Sequence, residues 1–260
     1  MIKNKKNKKE SIVVANWKMN LFYQDTEDLI ISLREDLKNY RGQTKVVICP
    51  SLTYLDRAHE ILIASKIKLG AQNVFWEKDG NYTGEISPKM LKELGCQYVI
   101  IGHSERRKYL GETDEMIDRK TVNTLRSHLT PIVCVGETKD ERRQQVHQMV
   151  VTDQVKKALR YLNPIFGREK IIVAYEPVWS IYPGQPCSPE EAKEMSLVIE
   201  QALIDLYPEK VIKNNFNIIY GGSINEDNVL DYIDHNHFQG GLVGNASLDH
   251  ESFYNIIKKL

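Results

Sequence analysis

The feature that most constrains this chain is an eightfold alternation of short β-branched apolar runs with longer helical patterns. In the helical patterns apolar residues share one stripe. The short runs, such as residues 171–174 and 99–101, are apolar throughout, which is typical of parallel strands covered on both faces. The eight runs begin near Ile12, Val46, Ile67, Tyr98, Ile132, Ile171, Ile218 and Leu242.

Eight strand–helix units in 260 residues predict an α/β fold, a (β/α)8 barrel in a single domain. A doubly wound open sheet usually has fewer strands and a glycine-rich dinucleotide loop after its first strand. Here the first strand ends in Asn16-Trp17-Lys18 with no GxGxxG, which disfavours a nucleotide-binding oxidoreductase. The rhythm alone leaves the open sheet as an alternative.

Local signals predict where three helices begin, because a Ser or Thr followed three residues later by Glu matches the capping box. The three pairs are Thr138 with Glu141, Ser188 with Glu191, and Ser223 with Glu226.

Composition limits the partners and the compartment. Thirty-five basic and 35 acidic residues leave no global field for nucleic acid or an anionic membrane, and the apolar runs are too short to span a bilayer. A small-molecule partner is therefore expected.

The four cysteines are widely spaced and follow no secretory signal, so they predict reduced thiols and a cytoplasmic protein. Residues 1–10 carry five lysines and predict a flexible tail before a barrel domain at 11–260.

Polar and glycine residues stand at the predicted C-terminal ends of the strands, where active sites of such barrels are built. Each residue also has an explanation that involves no function: the Lys is solvated, the His forms a structural hydrogen bond, and the glycines form turns. A carboxylate after an apolar strand, as at Glu176, is costly to bury without a use. Because all of these residues lie on one face of the predicted barrel, a shared functional role is favoured over separate ordinary explanations. They are Asn16, Lys18, His103, Ser104, Glu105, Glu176, Gly221, Gly222, Ser223, Gly244 and Asn245.

The glycines suggest a phosphate ligand. Gly221 and Gly222 precede a predicted helix start at Ser223, and backbone N–H groups at such a start can be approached by an anion when no Cβ intervenes. Gly244 and Asn245 lead into another helix in the same way. A phosphate site after strands seven and eight is common in this barrel.

Several ordered motifs together make the chain similar to the triosephosphate isomerase family from about residue 12 to the C-terminus. They include residues 15–20 (Ala-Asn-Trp-Lys-Met-Asn), 102–107 (Gly-His-Ser-Glu-Arg-Arg), 174–179 (Ala-Tyr-Glu-Pro-Val-Trp) and 220–223 (Tyr-Gly-Gly-Ser). Shorter matches occur at 70–73, 83–87, 134–137 and 242–244.

The resemblance implies interconversion of dihydroxyacetone phosphate and glyceraldehyde 3-phosphate, without a metal or organic cofactor. It implies Glu176 as base, His103 as electrophile and Lys18 as cation. We expect a helix start after His103 to disfavour imidazolium and keep the ring neutral. Further substrate contacts are expected from Asn16, Tyr182, Gly221, Gly222, Ser223, Gly244 and Asn245, supported by Ser104, Glu105 and Tyr220.

Two segments qualify the resemblance. The family's lid usually reads Ala-Ile-Gly-Thr-Gly-Lys-Thr-Ala, whereas residues 180–187 read Ser-Ile-Tyr-Pro-Gly-Gln-Pro-Cys. Tyr182 replaces a glycine and two prolines remove backbone donors, so lid geometry and substrate size are open. The long loop at 72–85 carries three aromatic residues, and the family's corresponding loop reaches into a partner subunit. We therefore expect a homodimer through this loop.

Three alternatives remain at this stage. The altered lid suggests a paralogue acting on a four-carbon ketose phosphate. Lys18 could instead form a Schiff base in an aldolase. A phosphosugar-binding protein without turnover is disfavoured by the joint presence of Glu176, His103 and Lys18.

Overall fold

Eight parallel strands close into a barrel in the computed structural model, which describes residues 10–160, 162, 170–180 and 187–260. Each strand pairs with the next along the chain, and the last pairs with the first. The predicted barrel is confirmed, with every strand beginning within two residues of its predicted position. The strands are β1 Ile12–Asn16, β2 Lys45–Cys49, β3 Lys68–Ala71, β4 Tyr98–Ile101, β5 Thr130–Val135, β6 Ile171–Tyr175, β7 Phe216–Tyr220 and β8 Gly240–Val243.

Helices follow the strands and surround the barrel. The described residues contain α1 Tyr23–Lys38, α2 Leu55–Leu62, α3 Pro88–Glu93, α4 Ser104–Leu110, α5 Asp114–Arg126, α6 Lys139–Arg143, α7 His147–Leu159, α8 Pro189–Ile204, α9 Glu209–Asn215, α10 Val229–Tyr232 and α11 His250–Lys259. None of these helices is long and apolar enough to cross a membrane.

The strands are mostly apolar because seven of the eight, all but β3, contribute side chains to two cores. In β1, Ile12 and Val14 belong to a cluster made only of strand residues, which fills the barrel interior. Val13 and Ala15 point the other way and join a second cluster that includes the helices. These seven strands are thus buried on both faces, as the continuous apolar runs predict.

Two of the three predicted capping boxes are confirmed. The side chains of Thr138 and Ser188 each accept the N–H three residues on, and the glutamates Glu141 and Glu191 reach back to the cap.

The capping box predicted at Ser223 is wrong. Asn225 Oδ1 accepts the N–H groups of Asp227 and Asn228, closing a turn at that point. The next helix, α10, begins only at Val229. Gly221, Gly222 and Ser223 therefore lie in a loop rather than at the start of an α-helix.

All four cysteines are buried and unpaired: Cys49, Cys96, Cys134 and Cys187. Free thiols are what the wide spacing of these cysteines predicts. Burial raises the pKa of the Cys96 and Cys187 thiols to about 12, so these groups are protonated at neutral pH.

Candidate active site

A cavity of about 280 Å³ lies where the C-terminal ends of the strands converge. Among the described residues, every predicted site residue lines it except Tyr220, which is buried beneath the loop that follows β7. The predicted contact at Tyr182 falls outside the described residues. The lining residues predicted from the sequence are Asn16, Lys18, His103, Ser104, Glu105, Glu176, Gly221, Gly222, Ser223, Gly244 and Asn245.

Glu176 is the first residue after β6 and is only 2% exposed. Its Oε1 lies 3.0 Å from His103 Nε2, and its Oε2 accepts the Ser104 N–H at 3.0 Å. Burial alone would raise the pKa of this carboxyl, but His103, the Ser104 N–H and Lys18 outweigh burial and hold the pKa below its ordinary value. The carboxylate is therefore ionised at neutral pH.

His103 caps the N-terminus of α4, where its Nδ1 accepts the Glu105 N–H at 3.2 Å. The proton of the neutral ring must then sit on Nε2, which faces Glu176. The prediction that the helix start after His103 would disfavour imidazolium is wrong in this arrangement. Burial does disfavour the charge, but Glu176 and then Glu105 outweigh it and raise the pKa of His103.

Lys18 adopts a left-handed backbone conformation with φ of 54°, which costs a non-glycine residue about 1–3 kcal/mol. Its N–H donates to Asn16 Oδ1 at 3.2 Å. Its carbonyl accepts from Ser51 Oγ at 3.0 Å and Gln72 Nε2 at 2.8 Å. These contacts aim the ammonium into the cavity mouth, where it pairs with Glu105 Oε1 at 2.7 Å.

The glycines after β7 fit tightly against functional and supporting side chains. A Cβ on Gly221 would lie 2.9 Å from Glu176 Cγ, and a Cβ on Gly222 would lie 2.2 Å from the Tyr220 hydroxyl. Both distances are too short for a side chain, so the loop can approach Glu176 and Tyr220 only because these residues are glycines.

The loop after β8 is anchored by a residue that follows β1, the strand with which β8 pairs to close the barrel. Gly244 precedes a four-residue 3-10 helix at Asn245–Leu248, so the predicted helix is confirmed in a short form. Trp17 Nε1 donates to the Ser247 carbonyl at 3.0 Å, which ties this helix to the end of β1.

Sequence reasoning missed a buried carboxylate beside the site. Glu137 is fully buried and accepts hydrogen bonds from Trp179 Nε1 at 2.7 Å and the Tyr175 hydroxyl at 3.2 Å, with Arg142 at 3.3 Å. It thereby holds residues on both sides of Glu176. Glu137 follows β5, so the strand-end rule that identified the other residues could also have found it.

The arrangement suits proton transfer to and from a small anion. An ionised carboxylate, an imidazole N–H and an ammonium group face one cavity, and two glycine-containing loops form its other side. Such a set can remove a proton beside a carbonyl while a neutral donor and a cation stabilise the oxygen that becomes negative. Among the described residues, no group of three or more His, Cys, Asp or Glu side chains could hold a metal ion.

Comparisons with known proteins agree with this geometry. A family model described as triosephosphate isomerase matches residues 11–260. The chain is 45% identical to the triosephosphate isomerase of Dictyoglomus turgidum over 250 residues, covering 96% of this chain and 99% of the relative. It is 43% identical to that of Aquifex aeolicus over 246 residues, covering 95% and 98% of the two chains. The chain therefore belongs to the triosephosphate isomerase family.

Proposed function

We propose that the chain interconverts dihydroxyacetone phosphate and D-glyceraldehyde 3-phosphate through an enediol or enediolate. The observation that carries this proposal is the 3.0 Å contact between Glu176 and His103 at a small cavity. The names of the relatives support the same substrate pair.

Glu176 acts as the base. It removes a proton from the carbon beside the substrate carbonyl, and the electron pair left behind forms the enediolate. The same carboxylate then returns the proton to the neighbouring carbon, while the hydroxyl proton passes to the former carbonyl oxygen, so no net proton is consumed. To reach the substrate, Glu176 must exchange its contacts with His103 and the Ser104 N–H for contacts with the substrate carbons.

His103 and Lys18 stabilise the oxygen atoms of the enediolate. The Nε2–H of His103 faces the space that the carboxylate occupies and donates to the substrate oxygens once Glu176 has moved. Departure of the carboxylate also removes the main influence that raises the pKa of His103. The neutral ring is then favoured by the N–H of Glu105 at Nδ1.

The phosphate is held on the opposite side, by the loops that contain Gly221, Gly222 and Ser223 and by Gly244 and Asn245. Support comes from the position of these loops around the cavity and from the missing Cβ atoms at Gly222 and Gly244. The Gly221 N–H is already donated to the Tyr175 carbonyl at 2.7 Å, so Gly221 contributes shape and not a donor.

A coupled assay tests the reaction and the substrate together. We expect kcat/KM to be far higher with the triose phosphates than with a four-carbon ketose phosphate measured under the same conditions. A higher value with the four-carbon substrate would contradict the proposal. Borohydride trapping with substrate should leave Lys18 unlabelled, since the mechanism uses it as a charge and forms no Schiff base.

We also propose a homodimer. Large apolar side chains are exposed on the loop after β1 and on α4: Met19 is 95% exposed, Phe22 78% and Tyr109 63%. The tip of the 72–85 loop is exposed, with Tyr82 packed at 4.7 Å on Phe75. A second copy would cover these side chains.

Light scattering tests the dimer. We expect Tyr82→Asp to shift the native dimer toward monomer, because an unpaired charge is costly in a desolvated contact. Leu230→Asp introduces the same charge at an exposed apolar position on α10 and should leave the mass unchanged. A monomeric native protein would contradict the proposal.

The domain division and the location are proposals of the same kind. The family match that starts at residue 11 supports a barrel domain at 11–260 preceded by a separate segment. Buried, unpaired cysteines are compatible with the cytoplasm. Deletion of residues 1–10 should leave isomerase activity intact.

A further inference from the structure

Two stacked tyrosines lie beneath the loop that follows β7. The rings of Tyr220 and Tyr232 are nearly parallel, with centroids 4.2 Å apart and planes inclined by 7°. Both side chains are buried. Tyr220 ends β7 and supports Gly222 directly, since a Cβ on Gly222 would lie 2.2 Å from the Tyr220 hydroxyl.

Tyr232 holds one face of the Tyr220 ring. On its other sides, Tyr220 meets Phe238 at a centroid distance of 5.5 Å and Tyr175 at 6.4 Å, both tilted. The parallel contact with Tyr232 is the closest of the three. Removing the Tyr232 ring would leave space beside Tyr220, and a side chain next to unfilled space loses the contacts that fix its position.

The Tyr232 hydroxyl has a separate contact. It donates to the Cys187 carbonyl at 2.6 Å across 45 residues of sequence. The Tyr220 hydroxyl lies beside both the Tyr232 hydroxyl and the Cys187 thiol. Cys187 immediately precedes Ser188, the N-cap of α8. Tyr232 therefore joins the loop after β7 to the start of α8.

We propose that Tyr232 is a positioning residue for phosphate binding, whose ring fixes Tyr220 and so the backbone of Gly222, while its hydroxyl fixes Cys187. The proposal rests on the proposed function in one respect, the placement of the substrate phosphate at Gly222. Tyr232 itself does not line the cavity. Its effect is on the shape of the loop before ligand arrives, which is a form of preorganisation.

The ring and the hydroxyl can be separated by substitution in the full chain. Tyr232→Leu removes both, and Tyr232→Phe keeps the ring. We expect Tyr232→Leu to raise the Kd of inorganic phosphate, measured by calorimetry, and the KM for dihydroxyacetone phosphate by a similar factor of about five to ten, with kcat changed less than about twofold. Tyr232→Phe should restore phosphate affinity to within about twofold of native while lowering the melting temperature, because the Cys187 carbonyl loses its donor.

Tyr207 offers a matched control. Like Tyr232, it is buried and does not line the cavity, but its ring stacks on Phe216 at 5.3 Å and its hydroxyl donates to the Leu159 carbonyl, away from Tyr220. Tyr207→Leu should lower the melting temperature and leave phosphate affinity unchanged. An equal loss of phosphate affinity in Tyr207→Leu would overturn the proposal, since the effect would then be general loosening of the fold.

A second substitution at the same position tests the proposal if Tyr232→Leu fails to fold. Tyr232→Met fills much of the same volume without a planar ring and should weaken phosphate binding as Tyr232→Leu does. Unchanged phosphate affinity in the folded Leu and Met variants would overturn the proposal. Phosphate binding is measured without turnover, so a native chain that binds phosphate with this dependence on Tyr232 but isomerises no triose phosphate would support the positioning role and refute the proposed function.

Discussion

The two sides of the cavity are built on different principles. On the charged side, which follows β1, β4 and β6, functional atoms are held by one another: Lys18 by Glu105 at 2.7 Å and His103 by Glu176 at 3.0 Å. On the glycine side, which follows β7 and β8, the shape depends on side chains that are absent. Gly221 and Gly222 leave no room for a Cβ.

This difference determines which substitutions disrupt each side of the cavity. On the charged side, shortening or removing His103 or Glu176 leaves a buried partner unsatisfied, which is costly because water cannot replace the lost contact. On the glycine side, adding a single carbon is enough to displace the loop, since nothing there can yield without moving Tyr220 or Glu176.

The largest effect is expected on the charged side, from Glu176→Asp. The change keeps the charge but retracts the carboxylate by one methylene, so we expect kcat to fall about 10²-fold from mispositioning. Phosphate affinity should be nearly unchanged, because the glycine side is untouched. Steady-state kinetics and phosphate titration measure the two quantities.

An exposed carboxylate provides the control for that change. Glu209→Asp shortens a surface side chain on α9 by the same methylene and should leave kcat at its native value. If Glu176→Asp also retained kcat within about twofold, Glu176 could not be the base.

An intermediate effect is expected on the glycine side. Gly222→Ala places a carbon against the Tyr220 hydroxyl, so we expect the phosphate Kd and KM to rise together by about tenfold. Gly221→Ala presses instead on Glu176 Cγ, where a Cβ would lie 2.9 Å away, and should lower kcat as well. Identical kinetic profiles for the two variants would contradict the separation of the two sides.

Gly244→Ala sharpens this test. Among the residues that the structure describes, a Cβ at Gly244 would meet only Lys18 Cε, at 3.8 Å, which is ordinary van der Waals contact. A loss of phosphate affinity in this variant would therefore come from the ligand's approach to the backbone and not from a displaced neighbour.

The barrel and most of the cavity residues could be predicted from the sequence for a physical reason. Strands buried on both faces must be apolar throughout, and this pattern located β1 and β6 to the residue. Once the strands are located, their ends identify Asn16 and Glu176. Residue type then suggests the chemistry, because a carboxylate at the end of an apolar strand is costly without a partner.

What could not be predicted depends on contacts between distant parts of the chain. Local spacing predicted a cap at Ser223, but Asn225 offers a competing acceptor. The pKa of His103 is set less by its own helix than by Glu176, whose carboxylate meets the neighbouring Ser104 across 72 residues of sequence. Tyr232 carries no motif at all, and only the structure reveals its stacking on Tyr220.

The smallest expected effect is a difference between the two sides in how the free energy of unfolding depends on pH, because only the charged side titrates. Burial disfavours the charge on His103, but Glu176 raises the pKa above the ordinary 6.5. This stabilisation is complete below pH 6.5 and is lost as the pH rises through the folded-state value. Burial likewise opposes ionisation of Glu176, but His103 lowers its pKa below the ordinary 4.5. That stabilisation is present above pH 4.5 and is lost as the pH falls through the folded-state value.

Together the two groups stabilise the fold most between pH 4.5 and pH 6.5, the ordinary values of the two side chains. We expect the native chain to lose free energy of unfolding on both sides of this window relative to the double variant His103→Gln and Glu176→Gln, measured by urea denaturation at each pH. Gly222→Ala differs from the native chain only in a group that does not titrate, so its difference from native should be the same at every pH. If the double variant also differed from the native chain by a constant amount, the His103–Glu176 contact would contribute no pH-dependent stability, and the charged side would be held by shape as the glycine side is.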